Sequence, residues 1–309
     1  MQVDRIELPG PDQVGSVNVY LLRGEKNILI DTGPRKEETF EVLEHELEEK
    51  DLKIEDLDMV LITHPHSDHF GNASRLRQSG AEIAIHEDAS HILEDYAGYL
   101  EKQEREFEDY FRRQGIPEEE NSDLVELAVP DHEGVSVEVD RELSGGDIIE
   151  GLKVIGTPGH APGSSTFLLG EAAFVGDTVL KNITPNPMLY IGEDREPGKS
   201  LVRYIESLKR LKELEIDRMM PGHGDEIDEP AERIDEILDH HVQRKQEVLN
   251  MIKEKKTSFE VMDRLFEDLP REKYFFGMSE AIGHLELLVH EGRAEKLENG
   301  GKVEYRATH

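Results

Sequence analysis

The residues best suited to chemistry stand together. His64, His66, Asp68 and His69 fall within six positions of the segment Thr63-His64-Pro65-His66-Ser67-Asp68-His69-Phe70. Imidazole nitrogens and carboxylate oxygens are the donors that hold Zn²⁺ and similar borderline cations. A single surface histidine carries no such meaning. Four ligand-type side chains this crowded have no packing reason to be there, and burying them without compensation would be costly. In an extended segment side chains repeat every second residue, so His64 and His66 can point the same way. Asp68 and His69, at the following turn, can face a second point nearby. One turn can therefore seed two metal sites.

The surrounding pattern supplies elements to position these groups. Leu57 to Ile62 reads as a buried strand that delivers the chain to the cluster, and Phe70 to Gln78 as the opening of a helix. Upstream, residues 17–22 and 27–30 read as strands about the turn Gly24-Glu25-Lys26, the second ending in Asp31-Thr32-Gly33. Lys36 to Lys50 has the spacing of an amphipathic helix, with Phe40, Leu43 and Leu47 on one face. Further strands are expected at 81–85, 152–156, 165–169, 172–176 and 216–220. Three of these are followed by one more candidate ligand: His160 in Gly156-Thr157-Pro158-Gly159-His160, Asp177 in Val175-Gly176-Asp177, and His223 in Pro221-Gly222-His223-Gly224. Asp177 ends a buried strand, a position from which a carboxylate can bridge two cations. Each turn is weak evidence alone. Together they place every candidate in a loop after a strand, so that all can converge on one edge of the sheets. Short strands recurring between helices in two similar halves predict a sandwich of sheets flanked by helices.

These blocks resemble the metallo-β-lactamase superfamily: Asp31 in Ile30-Asp31-Thr32-Gly33, the His64 to His69 signature, then His160, Asp177 and His223 in that order. The resemblance covers about residues 1–228. It implies an α/β fold, a four-layer αββα sandwich with the metals at one edge. It further implies that His64, His66 and His160 hold a first metal and that Asp68, His69 and His223 hold a second. Asp177 would bridge the two, and Asp31 would fix the ligand loop through hydrogen bonds. His66 stands where flavodiiron relatives place a glutamate, and no flavodoxin-like segment follows, which disfavours oxygen-reducing chemistry. A mononuclear iron dioxygenase would use part of the same ligand set, and the seven intact ligands disfavour that too. Zn²⁺ is the expected cation, with Fe and Mn²⁺ also suited to these donors.

The chemistry expected of such a site is hydrolysis. Two cations about 3.5–4 Å apart can share a water and lower its pKa towards ~7. The hydroxide so formed would attack a carbonyl or phosphoryl centre, with Asp68 orienting it and moving its proton. The leading expectation is a hydrolase of a small thioester, ester or lactone, as the glyoxalase-II-like members are. The loop Ile183-Thr184-Pro185-Asn186-Pro187-Met188-Leu189-Tyr190 is suited to lining its pocket. A glyoxalase-II type of C-terminal helical domain is absent, which weighs against a glutathione thioester. The alternative is an endoribonuclease or phosphodiesterase of the winged-helix-bearing branch.

Charge weighs against the alternative. The chain carries 69 acidic and 36 basic residues, net −33, whereas nucleic-acid affinity rests on phosphate neutralisation by Lys and Arg. The absence of cysteine excludes disulfides, thiolate metal sites and cysteine nucleophiles. The N-terminus shows no signal peptide and no apolar run approaches the ~20 residues of a membrane span, so a soluble, cytoplasmic protein is expected.

Three regions complete the reading. The catalytic domain is assigned to 1–228, with an acidic helical insertion at 101–145 on its rim, in which 118–122 reads as a solvated loop. A connecting helix follows at 229–256, where His240 and His241 are assigned structural roles; His86 is likewise taken as structural or exposed. Residues 257–309 place helices before a hairpin about Asn299-Gly300-Gly301, the order of a winged-helix module. That segment holds 7 basic and 11 acidic residues, and its second helix would present Glu280, Glu286 and Glu291, which argues against a DNA binder with a metal-sensing domain. The module is instead expected to pack on the catalytic domain, shape the site or mediate a homodimer.

Overall fold

A computed structural model describes residues 1–10, 15–129, 134–191 and 198–308. Two compact units emerge: Met1–Gly98 with Asp131–Pro185 and Ser207–Ile234, and Tyr99–Pro130 with Asn186–Glu206 and Asp235–His309.

In the first unit, β1 (Gln2–Leu8), β2 (Val17–Arg23) and β3 (Asn27–Ile30) form an antiparallel meander. Helix α1 (Glu37–Glu48) follows, burying Leu43 and Leu47 as the heptad spacing requires. Next comes β4 (Met59–Leu61), parallel to β3. The short helices α2 (Ser67–Phe70) and α3 (Ala73–Gln78) lead to β5 (Glu82–His86) and α4 (Glu87–Glu94). His86 is the residue that opens α4, its Nδ1 accepting the Asp88 backbone N–H at 3.2 Å. The chain continues through α5 (Tyr96–Arg113) and α6 (Glu118–Ala128) before β6 (Arg141–Leu143) completes a six-stranded sheet in the order β1-β2-β3-β4-β5-β6.

The second sheet holds β7 (Ile148–Ile149), β8 (Leu152–Gly156), β9 (Ser165–Leu169), β10 (Ala172–Gly176) and, after α7 (Ser200–Lys212), β11 (Arg218–Pro221). Its order is β11-β10-β9-β8-β7. Alternate residues of both sheets meet in one apolar cluster, Tyr20, Ile28, Ile30, Met59 and Leu61 from one and Val154, Phe167, Phe174 and Met220 from the other. The period of two along each strand produces this inner face, and the Tyr20 and Phe174 rings meet edge to face at 5.1 Å.

Strand directions decide where the loops go. β8 and β10 are each antiparallel to β9, and β11 is parallel to β10, so these three end on the same edge of their sheet. β3 and β4, being parallel, share an edge of theirs. Backbone bonds join those two edges, Ser165 N–H to Thr63 O at 2.8 Å and Asn18 N–H to Gly222 O at 2.7 Å.

The second unit contains most of α5, α6, the latter part of α8 (Pro230–Met251), α9 (Ser258–Leu265), α10 (Tyr274–His290) and a hairpin of β12 (Ala294–Asn299) with β13 (Lys302–Ala307). Its core joins Phe107, Phe111 and Leu124 to Val248, Phe275 and Tyr305. Phe107 and Phe111 stack at 5.0 Å, with Phe275 edge-on to Phe107 at 5.8 Å. A capping box starts α9, where Glu260 accepts the Thr257 N–H at 2.8 Å.

Four expectations change. Residues 99–129, expected as part of an insertion on the catalytic domain, share their apolar core with the C-terminal segments; 130–133 lie outside the described residues. Glu118-Glu119-Glu120-Asn121-Ser122 is the start of α6, not a loop. Three acidic residues complement the positive end of a helix, and Leu124, Val125 and Ala128 anchor it. Met188 and Leu189, expected to line a pocket, join the core of the second unit. Glu280 and Glu286 are buried, not presented to solvent. Glu286 is held by the Tyr305 hydroxyl at 2.7 Å and the Lys296 ammonium at 2.6 Å. No helix among the described residues is long and apolar enough to cross a membrane.

Candidate metal centre

Every candidate ligand lies at the common edge of the two sheets. His64 and His66 follow β4, Asp68 and His69 occupy the single turn of α2, and His160 lies between β8 and β9. Asp177 directly follows β10, His223 follows β11, and Asp31 follows β3.

Asp31 underlies this arrangement. Its φ of 59° is left-handed, a conformation that aspartate reaches more readily than most residues. Its carboxylate accepts from the Thr63 N–H and the Thr63 hydroxyl, each at 2.8 Å, and from His69 Nδ1 at 2.9 Å. With its proton given to Asp31, the Thr63 oxygen accepts from His64 Nδ1 at 3.0 Å. Both rings are thus held by Nδ1 and turn Nε2 inward. His223 is oriented in the same manner, its Nδ1 donating to Ser16 O at 2.8 Å. Asn18 clamps that loop by donating to Pro221 O and Gly224 O at 2.9 and 2.8 Å, and Tyr20 OH donates to Pro221 O at 2.7 Å. Thr63, Ser16, Asn18 and Tyr20 were not singled out from sequence. Only Thr63 carried a signal, its place beside His64.

The inward atoms form two adjoining groups. His66 Nδ1 lies 2.9 Å from His64 Nε2 and 3.2 Å from His160 Nε2. One Nδ1 proton can serve only one of those contacts. Burial first, then the neighbouring His160, pushes the protonated form of His66 down to about pKa 3, and burial puts His64 well below its ordinary value. Bare lone pairs facing one another repel unless a cation lies among them. Donors 2.0–2.1 Å from one tetrahedral zinc would stand about 3.3 Å apart, close to the separations found.

The second group is His69, His223 and Asp68. Asp68 Oδ2 lies 3.4 Å from His223 Nε2 and 3.8 Å from His69 Nε2. Asp177 stands between the groups, with Oδ2 3.4 Å from His223 Nε2 and 3.8 Å from His160 Nε2, and Oδ1 3.6 Å from His69 Nε2. Burial opposes a charge on Asp68, but His69 and His223 outweigh it and hold its pKa at about 2. Burial likewise opposes a proton on His223, but Asp177 and Asp68 outweigh it and raise its pKa to about 10. Between these nitrogens and carboxylates, something positive must sit: a proton or a metal ion. His69 Nε2, His223 Nε2 and Asp177 Oδ1 are buried with no hydrogen-bond partner. The donor set fits divalent cations, because all seven side chains offer nitrogen or oxygen and lie in overlapping groups whose ligand atoms are within 4.8 Å of one another.

The sequence places this chain among known proteins. Residues 12–223 match the family model described as the metallo-beta-lactamase superfamily, and residues 246–308 one described as a metallo-beta-lactamase-like C-terminal domain. A probable metallo-hydrolase of Bacillus subtilis is 31% identical over 97% of this chain and 96% of its own length. An atrochrysone carboxyl ACP thioesterase of Aspergillus fumigatus is 25% identical, covering 85% of this chain and 72% of its own. In structure, a metallo-beta-lactamase family protein of Thermus thermophilus superposes with a TM-score of 0.80 at 26% identity, covering 99% of this chain and 98% of that one.

Proposed function

The chain belongs to the metallo-beta-lactamase superfamily, and from that premise we propose a binuclear, zinc-dependent hydrolase of small thioesters, esters or lactones. One observation carries the metal reading: the ring nitrogens of His64, His66 and His160 crowd to 2.9 and 3.2 Å, a spacing that neutral imidazoles adopt around a cation. In this reading His64, His66 and His160 would hold one ion and Asp68, His69 and His223 the other, with Asp177 placed between the two groups. Such a pair of ions supplies Lewis acidity towards the substrate oxygen and acidifies a bound water towards neutral pH.

The chain's own residues do the rest. Asp68 is the catalytic residue: its ionised carboxylate orients the attacking water by accepting its proton. Asp31 and Thr63 keep the inward nitrogens of His64 and His69 in place while charge develops. Thioesters are favoured because a relative sharing most of the chain is named a thioesterase. Net charge −33 disfavours a polyanionic substrate such as RNA.

The test is thiol release from a simple acyl thioester by zinc-loaded protein, beside protein stripped by chelator and a single-stranded RNA substrate. Release that disappears on stripping and returns with zinc supports the reading. Cleavage of RNA without thioester hydrolysis would replace it with the phosphodiesterase alternative.

A further inference from the structure

A second cluster of metal-ligating side chains lies within the other unit, far along the sequence from the first. Helix α8 supplies the neighbours His240 and His241, with Arg244 one turn on; α10 supplies Glu280 and, one turn later, His284. A ring nitrogen from each of His240 and His241 and a carboxylate oxygen of Glu280 lie within 4.8 Å of one another.

Hydrogen bonding fixes which nitrogens carry protons. His284 Nδ1 lies 2.8 Å from the Glu280 backbone oxygen. That oxygen only accepts, so Nδ1 holds the proton of a neutral His284 and Nε2 is left as an acceptor. His241 Nδ1, 3.3 Å away, donates to it, which leaves His241 Nε2 as a bare lone pair. This ring is 1% exposed, and its Nε2 has no hydrogen-bond partner. A metal-bound histidine is oriented in this manner, by donation from its other nitrogen.

Glu280 Oε1 is in the same position. Its side chain is 9% exposed and the oxygen accepts no hydrogen bond. Around it stand His240 Nε2 at 3.4 Å, Arg244 Nε at 3.6 Å and His284 Nδ1 at 3.7 Å. The last two exceed hydrogen-bond reach: the His284 proton is already given to a carbonyl, and Arg244, held by Glu247 through NH1 at 2.9 Å, leaves its own Nε buried with no hydrogen-bond partner. A buried lone pair and a buried carboxylate oxygen are both acceptors, so neither can satisfy the other. The first metal centre shows the same signature at His69, His223 and Asp177.

We propose that His240, His241 and Glu280 form a binding site for a third divalent cation of the zinc type, tying α8 to α10. Two imidazoles and one carboxylate are a ligand set that zinc accepts, with a fourth position left for water. His240 Nε2 and Glu280 Oε1 stand 3.4 Å apart, close to the about 3.3 Å between donors of tetrahedral zinc. His240, 37% exposed, is the ligand with room to rotate.

The test counts zinc per chain by elemental analysis after passage through a weak chelator, using the full-length wild type, His240→Ala and Glu280→Gln. Wild type should retain one zinc per chain more than either variant, with near-ultraviolet circular dichroism unchanged. Equal zinc contents would overturn the site and leave an ion-pair network only. Should either variant fail to fold, the wild type still decides. On zinc addition to stripped protein, the ¹⁵N resonance of His241 Nε2 must move to the position of a metal-bound nitrogen. If it stays at that of a bare nitrogen, the site is refuted.

Discussion

Two buried histidine–carboxylate clusters sit in the two units, and they are built differently. The first gathers seven candidate ligands, five from loops after strands and two from the short α2, and three ring nitrogens close to 2.9 and 3.2 Å. The second hangs three donors on two helices, with His240 Nε2 and Glu280 Oε1 3.4 Å apart. Adjacent residues on a helix point about 100° apart, and the His240 and His241 rings lie 5.2 Å apart against 4.6 Å for His64 and His66. Charge differs too. Two carboxylates near His223 overcome burial and raise its pKa to about 10, whereas for His241 burial prevails and lowers it to about 3. Strand-end loops can aim many groups at one point, and that concentration of carboxylate is what a reactive centre needs. Helix faces can aim few, which suits a structural ion.

The largest effect should come from Asp68→Ala. It should lower kcat/KM for thioester hydrolysis by about 10²–10⁴-fold without unfolding the protein; near-normal turnover would remove Asp68 from the chemistry. Next stands Gly222→Ala. A Cβ there would lie 2.5 Å from Asp177 Oδ1 and 2.6 Å from His69 Cε1, so both ligands must shift. Chelator competition should show metal affinity falling about 100-fold at the first centre, with zinc at the second unchanged. Asp31→Asn keeps the volume but cannot accept from Thr63 and His69 together, and the same assay should read a loss of about 10–100-fold.

The smallest effect is on stability against pH, read by thermal melts of chelator-stripped protein. Asp68, depressed from 3.8 to about 2, stabilises the fold above its ordinary value, and that contribution is lost as pH falls through about 2. His223, raised from 6.5 to about 10, stabilises below its ordinary value, and that contribution is lost as pH rises through about 10. These two groups therefore favour stripped protein most between pH 3.8 and 6.5. Zinc loading should abolish the alkaline decline, because a cation replaces the His223 proton. An alkaline decline that persists with zinc would show that His223 is not a ligand.

The gathering of the first cluster was legible because four of its candidate residues fall within six positions and the others each follow a strand, so local pattern and strand direction suffice to bring them together. Of its supports only Asp31 was. Nothing in Asn18 or Ser16 announces a hydrogen bond to a loop some 200 residues away. The second cluster was hidden for a related reason: His241 and His284 meet across 43 residues, and a pair of histidines on a polar helix gives no hint of burial. The acidic run at 118–122 was misread because its charge suggested solvent, whereas the apolar residues that fix it as helix, Leu124 and Val125, come just after. Glu280 and Glu286 misled likewise, since each is buried against basic or hydroxyl groups that only the folded chain supplies.

Anomalous X-ray scattering across the zinc edge, on crystals of zinc-loaded protein, tests the central claim most directly. The account predicts two adjacent peaks at the sheet edge, one among His64, His66 and His160 and one among Asp68, His69 and His223, with Asp177 between them. An edge with no peak, in protein that hydrolyses thioesters at full rate, would contradict it.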